Sequence, residues 1–165
     1  MRTEAGLSLI ELMVALAVLA VVLAIGIPSV NQLLREQRLT TTTNLFIASV
    51  HFARSEAIKR AERVTICPSV DGQHCSNQVD YSEQWIIVVG PAPGQSLQDA
   101  GPVLRVIKGP GPRVTGNQTV ARRITFEPTG RPVSFGRIDI CLDSSARRVV
   151  ISIMGRPRIE SNHTC

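Results

Sequence analysis

Residues 7–28 read LSLIELMVALAVLAVVLAIGIP, and the placing of one carboxylate inside them decides what kind of chain this is. From Leu12 to Ile27 nothing is charged or strongly polar, and counting from Leu7 only Ser8 and Glu11 interrupt the apolar run. As a helix, Leu7 to Ile27 rises about 31 Å, close to the hydrocarbon thickness of a bilayer. A carboxylate in such a segment costs roughly 2.5 to 3.5 kcal/mol at mid-bilayer and less near the end, so Glu11 calls for a partner. No Lys or Arg lies between Leu7 and Leu34 to serve as one. A secretory signal peptide fits poorly: Arg2 is offset by Glu4, the run exceeds the roughly 7 to 15 apolar residues of a signal core, and IGIPSVNQLL is a poor cleavage site. A plain membrane anchor leaves Glu11 unexplained.

A cut between Gly6 and Leu7 supplies the partner. It creates an α-amino group at Leu7, four residues before Glu11, and in an assembly Glu11 of one subunit neutralises the amine of its neighbour. Two charges that are costly alone are then paired only in the polymer. The short polar leader, Gly6, apolar Leu7, Glu11 at the fifth position after the cut, the long apolar helix and Pro28 together resemble the class III signal of type IV prepilins and pseudopilins. That family commonly has Phe where this chain has Leu7. The resemblance implies cleavage after Gly6 by a prepilin peptidase and N-methylation of Leu7. It also implies a precursor held in inner-membrane lipid with its head in the periplasm, and assembly with major and minor pilins through the apolar helix, Glu11 and Pro28.

Leader and anchor take about 34 of the 165 residues, and the roughly 130 that remain suit one domain with a modest core. The formal charge of +5 is unevenly placed. Residues 67–101 carry four acidic and no basic residues, whereas residues 102–165 carry eleven basic and four acidic, a balance of +7. All but one of those eleven are Arg, the side chain suited to phosphate and carboxylate forks. Four cysteines in an exported domain are most simply two disulfides, with three connectivities open. The preferred pairing is Cys67 with Cys75, closing the loop CPSVDGQHC, and Cys141 with Cys165, tying the extreme C-terminus to a strand. Loop entropy gives about 2.6 kcal/mol for the first and about 3.5 kcal/mol for the second. A metal site on Cys67, His74 and Cys75 lacks a C-x-x-C pair, and no metal or other cofactor is expected.

Beyond Pro28 the helical pattern continues. Leu39, Thr43, Phe46, Val50, Ala53 and Ala57 fall at alternating steps of four and three, while Arg54, Glu56, Lys59 and Glu62 lie off that stripe. One helix from Leu7 to near Ala61, kinked or loosened at Pro28, is predicted, with its small-residue face on a sheet. The rest reads as strands at 63–67, 84–90, 103–108, 123–128, 137–142 and 147–154, rich in Val and Ile and separated by Gly, Pro and Asn. Pro128-Thr129-Gly130 is a turn signal, and GPAPGQSLQDAGP (90–102) is a loop. The expected organisation is a leader (1–6), an assembly half of the helix (7–28), an amphipathic half (29–62) and a β-rich head (63–165). The fold class is α+β: a long N-terminal hydrophobic helix packed on an antiparallel-sheet head with a disulfide-tied C-terminus.

The stretches FARSEAIKRAERVTICPS (52–69), FEPTGRP (126–132) and VVISIMGRPRIESNHTC (149–165) resemble the FimT/GspH group of minor pilins and pseudopilins. That resemblance covers essentially the whole chain and implies low-copy incorporation into a pilus or pseudopilus, with no catalytic activity. The residues agree: His51, His74 and His163 are scattered, and there is no G-x-S-x-G, phosphate loop or H-E-x-x-H. Binding is then the chemistry to look for.

The candidate lies in the arginine-rich half, most sharply in GRPRIESNHTC (155–165). Gly155 and Pro157 favour an irregular backbone after a strand ending at Met154, and Arg156 and Arg158, two apart, project alike if the segment is extended. In FimT-like pilins of naturally competent bacteria a G-R-x-R segment near the C-terminus is associated with DNA binding, and here it matches Gly155, Arg156, Pro157 and Arg158. Arg147 and Arg148, and beyond them Arg122, Arg123 and Arg137, are the supporting cations. Few aromatics are available to stack on bases, so contacts to double-stranded DNA are expected at the phosphates and without sequence preference. The bland counterpart is a solvated basic face that keeps the head soluble or meets an acidic neighbouring pilin. Three roles follow: a minor type IV pilin with DNA binding for uptake, a minor pseudopilin of a type II secretion system, or a membrane-anchored periplasmic binding module.

Overall fold

The structure, a computed structural model, describes residues 8–91, 96, 100–163 and 165, and of 24–29 and 161–163 the backbone alone. Gly6, Leu7, the side chain of Pro28 and much of the expected 90–102 loop lie outside the described residues. The chain divides into two compact units, one ending at Gln37 and the other running from Arg38 to Cys165.

A single helix, α1 (Leu9–Arg60), contributes to both units, and its backbone remains helical through residue 28. Ser8 opens it. The Leu12 amide donates to the Ser8 carbonyl at 3.2 Å and the Glu11 amide to Ser8 Oγ at 3.4 Å. Ser8-Leu9-Ile10-Glu11 has the S-x-x-E form of a capping box, in which a hydroxyl and a carboxylate satisfy the first turn. That signal is present in the sequence. In this unit the apolar side chains from Leu9 to Leu23 are exposed, Leu9 by 78%. Among the described residues no helix is long and apolar enough to cross a membrane, and the segment expected to do so, 7–28, is only partly among them.

In the second unit the helical stripe does what its spacing predicts: Leu39, Thr43, Phe46, Val50, Ala53 and Ala57 are all buried. The hydroxyls of Thr42 and Thr43 are satisfied by the carbonyls of Arg38 and Leu39, at 2.8 and 2.7 Å. Turning a buried hydroxyl back onto the helix is how such residues avoid an unpaired polar atom.

Among the described residues eight strands follow: β1 (Val64–Pro68), β2 (Gln84–Val89), β3 (Val103–Lys108), β4 (Arg113–Gly116), β5 (Ile124–Phe126), β6 (Gly136–Leu142), β7 (Ser145–Ile151) and β8 (Pro157–His163). They form two antiparallel four-stranded sheets, in the orders β3-β2-β1-β5 and β4-β6-β7-β8. One apolar core draws on the helix and both sheets: Phe46 and Val50 share it with Ile66, Trp85 and Phe126 of the first sheet and Ile138, Ile140 and Val149 of the second. Phe46 stands edge-on to Tyr81, with ring centroids 5.8 Å apart, and the indole Nε1 of Trp85 donates to Ser49 Oγ at 2.9 Å. The far face of the first sheet carries a smaller cluster of Cys67, Cys75, Ile86 and Val88. Two disulfides are present, Cys67–Cys75 and Cys141–Cys165, with Cα separations of 5.5 and 5.9 Å.

Two elements differ from the sequence reading. The segment after Met154, expected to be irregular, is the strand β8, paired with β7 from Ile151↔Pro157 to Ala146↔His163. Pro157 is tolerated because it is the first residue of its strand, where a missing N–H costs least. The short β4 was not anticipated at all.

Candidate functional site

The second sheet carries the candidate arginines, and its register sorts them. Side chains alternate faces along a strand and match across a ladder. Asp139 pairs with Arg148 and Arg148 with Glu160, while Arg137 pairs with Val150 and Val150 with Arg158. Arg137, Asp139, Arg148, Arg158 and Glu160 therefore share the outer face of β6, β7 and β8. Arg147 pairs with Ile140, on the face that carries the buried Val149 and Ile151. The structure thus brings Arg148 and Arg158 together and sets Arg147 on the other side of the sheet.

Two of the outer arginines are already matched by carboxylates. Arg148 Nε donates to Asp139 Oδ1 at 2.5 Å. This hydrogen bond, helped by the charges of Asp139 and Glu160, raises the guanidinium further above its ordinary value. Arg158 Nη2 donates to Glu160 Oε1 at 2.8 Å, with the arginine side chain 69% exposed. Neither pair could be read from the sequence without the strand assignment, since one is cross-strand and the other lies along β8. Arg137 and Arg156 are exposed, and among the described residues neither has an ion pair.

Arg156 sits in the turn from β7 to β8. Its amide donates to Ser152 Oγ at 3.1 Å and its carbonyl accepts from the Ser152 amide at 3.1 Å, so the turn closes on itself. Gly155 has φ of 72°, and a Cβ there would stand 3.0 Å from the Gly130 carbonyl oxygen and 3.2 Å from Phe126 Cε1. The glycine of the G-R-P-R segment is therefore required twice, for its left-handed backbone and for a close approach to the 128–130 turn.

Beside these arginines the outer face holds a cleft of about 310 Å³ lined by Asn117, Phe135, Arg137, Arg148, Val150 and Glu160. Phe135, two residues before Arg137 and 55% exposed, was not singled out from the sequence. Among the described residues no group of three His, Cys, Asp or Glu is placed to hold a metal, and Cys67 and Cys75 are bonded to each other.

An N-terminal helix on antiparallel sheets, its C-terminal segment tied by Cys141–Cys165, defines a pilin-type protein. Residues 1–27 match the prokaryotic N-terminal methylation motif. Residues 42–155 match the family described as type II transport protein GspH, and the chain belongs to that family. Two crystal forms of the type IV minor pilin FimU from Pseudomonas aeruginosa PAO1 share the fold. One has 21% identity and a TM-score of 0.58, with 77% of this chain and 99% of that one covered. The other has 20% identity and a TM-score of 0.60, with 79% and 96% covered. No curated protein matches the chain. Motif, family and fold together place it among the minor type IV pilins and pseudopilins.

Proposed function

We propose that the chain is a minor type IV pilin whose head binds double-stranded DNA without sequence preference through Arg156 and Arg158, serving DNA capture for uptake. The precursor is held in the inner membrane by residues 7–28, cut after Gly6 and methylated at Leu7, and the methylation motif over residues 1–27 supports that course. It joins major and minor pilins through the apolar side chains exposed along α1.

The observation that carries the DNA reading is the hairpin from β7 to β8, which holds Arg156 exposed and without an ion pair among the described residues, two residues before an exposed Arg158. The contact of Arg158 with Glu160 does not remove it from play. An exposed pair is worth about 0.2 to 1 kcal/mol, so a phosphate competes for the guanidinium. Arg148, held by Asp139, contributes less than the sequence implies, and Arg147 faces away.

Few phosphate contacts imply an affinity of roughly 10⁻⁴ to 10⁻⁶ M that falls with salt at a slope of about −0.9 per phosphate neutralised. The test is a gel-shift or NMR titration of the full chain in detergent across several salt concentrations. Replacing both Arg156 and Arg158 with Gln should shallow the slope by about two units. No binding by the wild type at low salt, or an unchanged slope in the double variant, leaves the assembly role alone. The description of the matching family favours a second reading, a minor pseudopilin of a type II secretion system. Co-purification with pilus or with secretion components separates the two.

A further inference from the structure

Phe135 stands apart from the other aromatic side chains. Of the six in the chain, Phe46, Tyr81, Trp85 and Phe126 are fully buried and Phe52 is half-buried beneath Arg105, whose Cζ lies 4.2 Å from the ring centroid. Only Phe135 is exposed, and it lines the cleft on the face that carries the arginines. A single exposed apolar residue is ordinary on a protein surface. The surroundings of this one are not. Arg137, two residues further on, lines the same cleft and has no ion pair among the described residues.

The backbone between them is fixed. Asn117 Oδ1 accepts from the Arg137 amide at 3.1 Å, and the Asn117 amide donates to the Arg137 carbonyl at 3.0 Å. At Gly136 an added Cβ would run into Asn117 Oδ1, the acceptor of the Arg137 amide, and displace it. An aromatic face and a guanidinium are thus presented from one rigid segment, in a concavity at the lower end of the volumes seen for small-ligand sites.

We propose that this cleft is a subsite for an unpaired nucleobase, so that the head holds single-stranded DNA, such as a frayed or resected end, more tightly than duplex. The base stacks on Phe135, and its flanking phosphate meets Arg137. Within a duplex each base face is covered by its neighbours, so Phe135 adds nothing there. In a single strand every base has a free π-face. Val150, on the cleft wall, pairs with Arg158 of the G-R-P-R segment. A strand entering the cleft is then in reach of the hairpin cations. The inference rests on the DNA reading above.

The test compares a fluorescent pyrimidine single strand with its duplex, titrated by anisotropy against the full chain in detergent at matched salt. The single strand should bind more tightly. Phe135→Ala should weaken it about fivefold or more and leave the duplex unchanged, and Phe135→Trp should restore single-strand binding. The Arg156/Arg158 double Gln variant should weaken both forms. If duplex binds but the single strand binds no better, or Phe135→Ala changes both or neither, the subsite is wrong and the duplex reading stands. If neither form binds at low salt, the DNA reading fails and the subsite with it.

Discussion

Tyr81 shows how much rests on single atoms in this head. Its side chain is fully buried, and its hydroxyl donates to the Val120 carbonyl at 3.0 Å, linking the entry to β2 with the loop after β4. Removing the hydroxyl leaves that carbonyl without its donor, and Tyr81→Phe should cost about 1 to 2 kcal/mol in denaturant unfolding. An unchanged midpoint would mean that the bond contributes nothing. The same residue gives a pH signature. Burial raises the phenol far above its ordinary value, so the folded state holds the proton when the unfolded state has begun to lose it. A raised value means stability that is complete below the unfolded pKa of about 10 and declines as pH rises past it. Tyr81→Phe should remove that group's share of the alkaline loss. Asp71 has the opposite sign. Its side-chain hydrogen bond to His74, and then the amides of His74 and Gln73, lower it, so its contribution is present at neutral pH and fades on acidification.

Strand β8 is the element on which the candidate site depends and the one the sequence hides. PRIESNH has a proline, an arginine, a glutamate, an asparagine and a histidine in seven residues, a composition that argues against a strand. What makes it one is external: β7 offers an open edge, and Cys165 is bonded to Cys141 of β6. Replacing Cys141 and Cys165 together with Ser should cost about 3.5 kcal/mol on the loop-entropy account. It should also speed amide exchange at Arg158 and Ile159 more than at Val149. Equal exchange along β7 and β8 would show that pairing alone holds the strand. The four-residue β4, which follows Gly109-Pro110-Gly111-Pro112, is hidden because its length gives no alternation to read. The helical stripe was legible because six positions repeat the 3.6-residue period over five turns, and a single packed face enforces that period. The arginines were legible as a cluster but not as pairs. Which guanidinium meets Asp139 is set by ladder register, a property of two segments at once, and Arg158 meets Glu160 only because the segment is a strand.

At the scale of the whole molecule, a capping role for Glu11 and the assembly role proposed for it separate cleanly. The capping pattern with Ser8 accepts Gln as readily as Glu, whereas pairing with a neighbouring α-amine needs the charge. Glu11→Gln and Glu11→Ala should therefore both fall out of sheared pili while the head stays folded. Recovery of Glu11→Gln at the wild-type level, with Glu11→Ala depleted, would assign the residue to the helix start alone. The bridge from Cys141 to Cys165 has a mechanical meaning as well. It closes a covalent ring that contains β7, β8 and the hairpin tip bearing Arg156. β8 is an edge strand, the kind that ordinarily unzips one bond at a time under a pull. Here a tug on anything gripped at the hairpin divides between two covalent paths that converge on β6. Tension must then shear several ladder bonds together, and a head fastened in this way can take such a pull without unravelling.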